Sequence, residues 1–207
     1  MNNTLRSILA AAVFSFFLMI HSSAIGAGFE EWRGNPEYWQ GPIIDAHSQI
    51  EPSTDLEKLV ARLDRAGVVK CLLSCRFKQS SKDVVRLYRK YPDRIVPMAK
   101  TKTRAFMKGG KGFPRIFLTE IGKFEYKGMA EIIMWHAAKK GVGAGKAVIP
   151  PDHPRLKPFI DTARTKGWPY IAHIEFSGMD FESKRNKFMK KFKIFLSENE
   201  DIPVGLI

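Results

Sequence analysis

Two hydrophobic rhythms alternate along this chain. Short unbroken apolar runs fall near residues 43–44, 68–74, 95–99, 128–134 and 169–174, and between them apolar positions recur three or four apart. Short runs bounded by Gly or Pro predict buried strands, while the wider spacing predicts helices with one buried face. The first strand is expected at 42–49. A helix follows at 54–66, capped by Ser53 or Thr54, with Leu56, Leu59, Val60 and Leu63 on its apolar face and Gly67 at its end. Next come a strand at 68–74, a helix at 81–91 and a strand at 95–99. Residues 100–112, rich in Lys and Gly, are expected to form a loop, and Pro114 to open a short helix to 121. A fourth strand at 128–134, a flexible turn at 141–145, a helix at 152–166 and a fifth strand at 169–174 complete the middle of the chain. A long helix at 181–199 carries Phe181, Phe188, Phe192, Phe195 and Leu196 at helical spacing, and residues 203–207 begin a sixth strand.

Strands alternating with helices predict an α/β fold with a parallel sheet. The count, five βα units and the start of a sixth strand, describes an incomplete (β/α)8 barrel of the TIM type. Such barrels run to about 250 residues, so a chain of 207 is expected to be truncated at its C-terminal side. A smaller open α/β sheet is the alternative.

Composition adds a targeting segment and a charge. Asn2, Asn3 and Arg6 precede an apolar run at 8–20, followed by small residues at 22–27. That order predicts a secretory signal over 1–27, and so a periplasmic or secreted protein with no stable membrane span in the mature chain. The aromatic stretch at 28–41 is expected to be an arm, and 42–207 the barrel domain. The formal charge is +13, which suits anionic partners. No nucleic-acid-binding module accompanies it, so nucleic acid is not an expected partner. The lysines of the 181–199 helix read as its solvated face, with a polyanion patch as the alternative. Cys71 and Cys75 lie on one strand, roughly 13 Å apart at ~3.3 Å per residue. That is too far for a disulfide.

Candidate chemistry sits at the strand ends, which converge on one site in a parallel α/β fold. Ile43-Ile44-Asp45-Ala46-His47-Ser48-Gln49 ends its apolar run in a histidine, with Gln49 two residues on and facing the same way. Tyr170-Ile171-Ala172-His173-Ile174-Glu175 repeats the pattern. Glu131 lies inside an apolar run, where an unpaired carboxylate is costly; it needs a metal, hydrogen-bond donors or a salt bridge to a Lys or Arg. His47 and His173 are either metal ligands or packed histidines. His136 follows the fourth strand and either enters the site or caps the next element. His153 reads as structural, and Glu51 and Glu120 as surface carboxylates. There is no G-x-S-x-G nucleophile elbow and no G-x-G-x-x-G after the first strand. Metal-assisted hydrolysis therefore ranks above acyl-enzyme chemistry and hydride transfer.

These residues, in this order, resemble the amidohydrolase superfamily of metal-dependent TIM-barrel hydrolases, in its amidohydrolase-related and TatD-like branches. The likeness is carried by the segments around His47, Glu131 and His173 and covers 42–207. It implies a divalent metal, Zn²⁺ above others, held by His47, Glu131 and His173 with Gln49, where the family pattern has a second histidine. It implies a metal-activated water that attacks an amide, ester or phosphoester bond of a small-molecule substrate. The family's sixth-strand histidine and eighth-strand aspartate would follow Ile207. Lys100, Lys102 and His136 are expected to contact substrate, the lysines through an anionic group. A non-catalytic binding protein on the same scaffold and a basic envelope protein that binds polyanions are the alternatives.

Overall fold

The computed structural model describes residues 39, 41–76, 78–137, 146–176, 179 and 181–207. The expected signal at 1–27, nearly all of the arm at 28–41 and the turn at 141–145 lie outside the described residues. The chain divides into two units, Met1–Pro42 and Ile43–Ile207, and the fold below is that of the second.

Its strands are β1 (Ile43–Ile50), β2 (Val68–Cys75), β3 (Ile95–Ala99), β4 (Gly128–Met129), β5 (Ile132–His136), β6 (Ala147–Val148), β7 (Tyr170–Ile174) and β8 (Val204–Leu206). Its helices are α1 (Leu59–Arg65), α2 (Ser81–Lys90), α3 (Arg104–Lys108), α4 (Phe113–Lys123), α5 (Lys157–Lys166) and α6 (Glu182–Glu198). One sheet runs β1-β2-β3-β4, and the other β6-β5-β7-β8. All pairings are parallel except that of β5 with the short β6. With β6 set aside, the strands follow one another in sequence order, with helices between them except at β4 and β5, which only Ala130 and Glu131 separate. That is the arrangement of consecutive (β/α)8 units, so the chain forms an α/β fold of incomplete TIM-barrel type.

The expected fourth strand is two strands. β4 pairs with β3 through Met98–Gly128 and Ala99–Met129, while β5 pairs with β7 through Ile132–Ala172 and Ile133–His173. Ala130 and Glu131, between them, leave the ladder. The Ala130 amide still donates to the Ala99 carbonyl at 2.9 Å, but the Glu131 carbonyl accepts from the Thr101 hydroxyl instead. Glycine at 128 leaves room for the end of the Met98 side chain, since a Cβ there would lie 2.7 Å from Met98 Cε.

Other boundaries moved for local reasons. The first helix starts at Leu59, because the Thr54 hydroxyl turns back to accept from the Glu51 amide at 2.9 Å and does not cap a helix. The expected loop at 100–112 contains α3, capped by Thr103, which accepts from the Phe106 amide at 3.2 Å. Gly109 ends α3 in a left-handed conformation at φ 69°. The helix expected from 152 begins instead as a 3₁₀ turn, Pro154–Leu156, whose cap is His153 Nδ1 accepting from the Arg155 amide at 3.0 Å.

The core is rich in aromatics. Phe106, Phe113, Phe117 and Phe159 are fully buried and interlock α3, α4 and α5, with ring centroids 4.7–5.9 Å apart. On α6, Phe188, Phe192 and Phe195 are buried. Phe181 and Leu196, expected on the same stripe, are exposed, and Phe181 instead lies under the Lys184 ammonium at 4.8 Å. Lys191 of that helix pairs with Asp152 at 2.5 Å. No helix among the described residues is long and apolar enough to cross a membrane.

Phe159 touches the other three rings of its cluster. Phe159→Ala is expected to cost about 3–5 kcal/mol, read as a lowered urea midpoint at unchanged slope. An unchanged midpoint would show that this cluster does not hold the helices to the sheet.

Candidate functional site

The gap between β4 and β5 places Glu131 at the centre of the strand ends. The residue is 2% exposed. Its Oε1 accepts a hydrogen bond from Gln49 Nε2 at 2.9 Å, lies 3.2 Å from His47 Nε2 and meets the Lys102 ammonium in an ion pair. Its Oε2 is bonded to His173 Nδ1. The structure therefore brings together all four residues expected to surround a metal, and adds Lys102, which was expected to touch substrate. Burial alone would raise the Glu131 carboxyl. The bonds from His173, His47 and Lys102 outweigh it and hold the group well below the usual carboxylate range.

The first strand reaches this centre through an irregularity. The β1–β2 register shifts between Asp45 and Ser48. Asp45 fixes that bulge: its Oδ1 accepts from the His47 amide at 2.9 Å, and its Oδ2 from the Ser48 hydroxyl. His47 and Gln49 both turn to Glu131, with their Nε2 atoms 3.4 Å apart. Asp45 is thus a positioning residue that the strand pattern alone did not single out.

On the far side of His173 lies a second group. Glu175 Oε1 is 3.2 Å from His173 Nε2 and 3.9 Å from His136 Nε2. Glu175 Oε2 accepts from the Ala137 amide at 2.6 Å, which fixes the carboxylate. The His136 and His173 rings stack with centroids 5.6 Å apart and an interplanar angle of 23°. His136 therefore enters the site. The sequence signal for Glu175 was its place two residues after a strand-end histidine.

A cavity of about 210 Å³ opens beside these groups, lined by Gln49, Arg76, Lys100, Lys102 and His136 among others. Three of its described lining residues, Arg76, Lys100 and Lys102, are basic, and Lys102 is paired with Glu131. Arg76, directly after β2, was not among the expected site residues. Cys71 and Cys75 are buried and free, and burial pushes the Cys71 thiol up to about 12, which removes it as a nucleophile. Glu120, read from the sequence as a surface carboxylate, accepts from the Ser81 hydroxyl at 2.6 Å and the Tyr126 hydroxyl at 2.7 Å. It ties α4 to α2 and lies outside the Glu131 cluster.

A carboxylate held below its unfolded value stabilises the fold above the unfolded pKa, and that stability is lost as pH falls toward the folded value. Glu131→Gln is therefore expected to cost about 3–5 kcal/mol near neutral pH. The difference from wild type should shrink below about pH 4.3, the ordinary glutamate value. Urea midpoints measured from neutral to acid pH check this. A difference that stays constant with pH would mean that the charge of Glu131 carries none of the effect.

No family model matches the chain, and no curated protein matches it. Among solved structures it is similar to a 2,6-dihydroxybenzoate decarboxylase complexed with 2,6-dihydroxybenzoate, at 10% identity and a TM-score of 0.49 over 80% of this chain and 65% of that one. It is also similar to an uncharacterized TIM-barrel protein from Bordetella bronchiseptica, at 16% identity and a TM-score of 0.48 over 79% of this chain and 66% of that one. The chain spans just under two thirds of the length of each. Likenesses this distant carry no argument about chemistry. The fold class rests on the chain's own strand order and parallel pairing: an α/β fold of incomplete (β/α)8 type.

Proposed function

We propose that the chain is a metal-dependent hydrolase of the amidohydrolase type, exported to the periplasm or beyond, acting on an amide, ester or phosphoester bond of a small anionic substrate. The observation that carries this reading is the convergence of His47, Gln49 and His173 on the buried carboxylate of Glu131 at the strand ends, beside a cavity with basic side chains on its wall.

The donor set of imidazoles and a carboxylate fits a borderline divalent ion such as Zn²⁺, and His173 Nε2 is buried with no hydrogen-bond partner among the described residues. The ligands that the sequence pattern names are His47, Glu131 and His173, with Gln49 as a neutral oxygen donor. A bound ion supplies Lewis acidity, which makes water nucleophilic near neutral pH. The chain's own groups do the remainder. Lys100 and Arg76 draw the anionic part of the substrate into the cavity, and Lys102 neutralises Glu131. The bulge held by Asp45 keeps His47 and Gln49 aimed at the centre.

Two features favour a second reading. Gln49 stands where the family pattern has histidine, and the Lys102 ammonium already pairs with Glu131. Both features suit a binding protein that keeps the scaffold and has lost turnover.

The test is hydrolysis of carboxylate-bearing amides, esters and phosphoesters by the Zn²⁺-loaded protein. Activity is expected, lost on chelation and restored by metal, and Glu131→Gln should lower kcat/KM by more than the 10–100-fold typical of residues that only support a ligand. Ligand binding without turnover in the metal-loaded protein would replace the hydrolase with the binding protein.

A further inference from the structure

His173 is held from one side and exposed chemically on the other. His173 Nδ1 is bonded to Glu131 Oε2. The other ring nitrogen is left facing Glu175 and His136. That nitrogen, Nε2, is buried with no hydrogen-bond partner among the described residues. It stands 3.2 Å from Glu175 Oε1, out of hydrogen-bond alignment. His136 borders the same place: its Nε2 is 3.9 Å from that oxygen, and its Nδ1 is buried with no hydrogen-bond partner among the described residues.

We infer that His136, His173 and Glu175 bind a divalent cation of the zinc class, with His173 using Nε2 while Glu131 grips the same ring through Nδ1. This rests on the metal-dependent reading above and moves the ion to the opposite face of His173, away from His47 and Gln49. One ligand atom from each of the three residues lies within 4.8 Å of the others. Ligands ~2.0–2.1 Å from a tetrahedral zinc sit about 3.4 Å apart, and the separations of 3.2 and 3.9 Å fall on either side of that value. Two imidazoles with one carboxylate select zinc, cobalt or nickel over magnesium and calcium, which prefer oxygen alone. A carboxylate on the far nitrogen of a ligating histidine is the usual device for fixing its tautomer and ring plane, and Glu131 occupies that position. The Ala137 amide does the same for Glu175. Three protein ligands leave a coordination position open, and His136 also lines the basic cavity, so the ion lies next to the space for an anionic substrate.

The test uses the full chain stripped of metal, with Co²⁺ titrated by visible absorption and Zn²⁺ affinity measured against a chromophoric chelator. His136→Ala and Glu175→Gln are each expected to weaken binding by more than the 10–100-fold typical of outer-sphere partners, and to abolish the tetrahedral Co²⁺ bands. His47→Ala should keep both the bands and the affinity. Circular dichroism of each metal-free variant checks folding, and His136→Gln replaces His136→Ala if the latter does not fold. Loss of binding in His47→Ala, with retention in His136→Ala and Glu175→Gln, would overturn the inference and leave the metal-dependent reading standing. No binding by the wild type would overturn both.

Discussion

Moving a carboxylate out of water costs several kilocalories per mole unless donors replace the water it loses. Glu131 meets that requirement with four side chains drawn from separate parts of the barrel: His47 and Gln49 from β1, Lys102 from the turn after β3, and His173 from β7. Each partner is in turn constrained. Asp45 shapes the bulge that aims His47, the Thr101 hydroxyl takes the Glu131 carbonyl, and the gap in the ladder at Ala130–Glu131 turns the carboxylate inward. The site is therefore a solution to a burial problem before it is a place for chemistry. Any reaction here starts from side chains that are already oriented.

That burial also divides His173 between two tasks. One ring nitrogen completes the Glu131 network, and the other faces Glu175 and His136. The cavity adds a complementary field. Arg76, Lys100 and Lys102 line it, and Lys102 carries its ammonium to the buried carboxylate behind it.

Much of this was legible in the chain. The apolar run at 95–99 gave β3 with its true bounds, and the helical spacing at 81–91 missed α2 by a single residue. His47, Gln49, Glu131 and His173 stood out because polar groups ending or interrupting apolar runs need partners, and they found one another. What escaped depended on tertiary geometry. The break inside 128–134 carries no turn residue, since it is imposed by β4 and β5 choosing different neighbours. Glu175 and Arg76 sit just beyond strands, where a charged residue is ordinary until the strand ends are brought together. The role of Lys102 changed because distance, which no pattern encodes, placed its ammonium on Glu131. Phe181 was misplaced because the hydrophobic stripe continued past the point where α6 has a surface to cover.

The join at Ala130–Glu131 also bears on the order of assembly. The strands before it, 43–129, and those after it, 132–206, each form a sheet from neighbouring sequence, and contacts between nearby elements close cheaply. The polar cluster is different. Its bond from Gln49 to Glu131 spans 82 residues, and that from His173 to Glu131 spans 42. It exists only when both sheets have formed and met. A late, long-range lock of this kind makes the assembled site a reporter of completed folding, since neither sheet contains it alone.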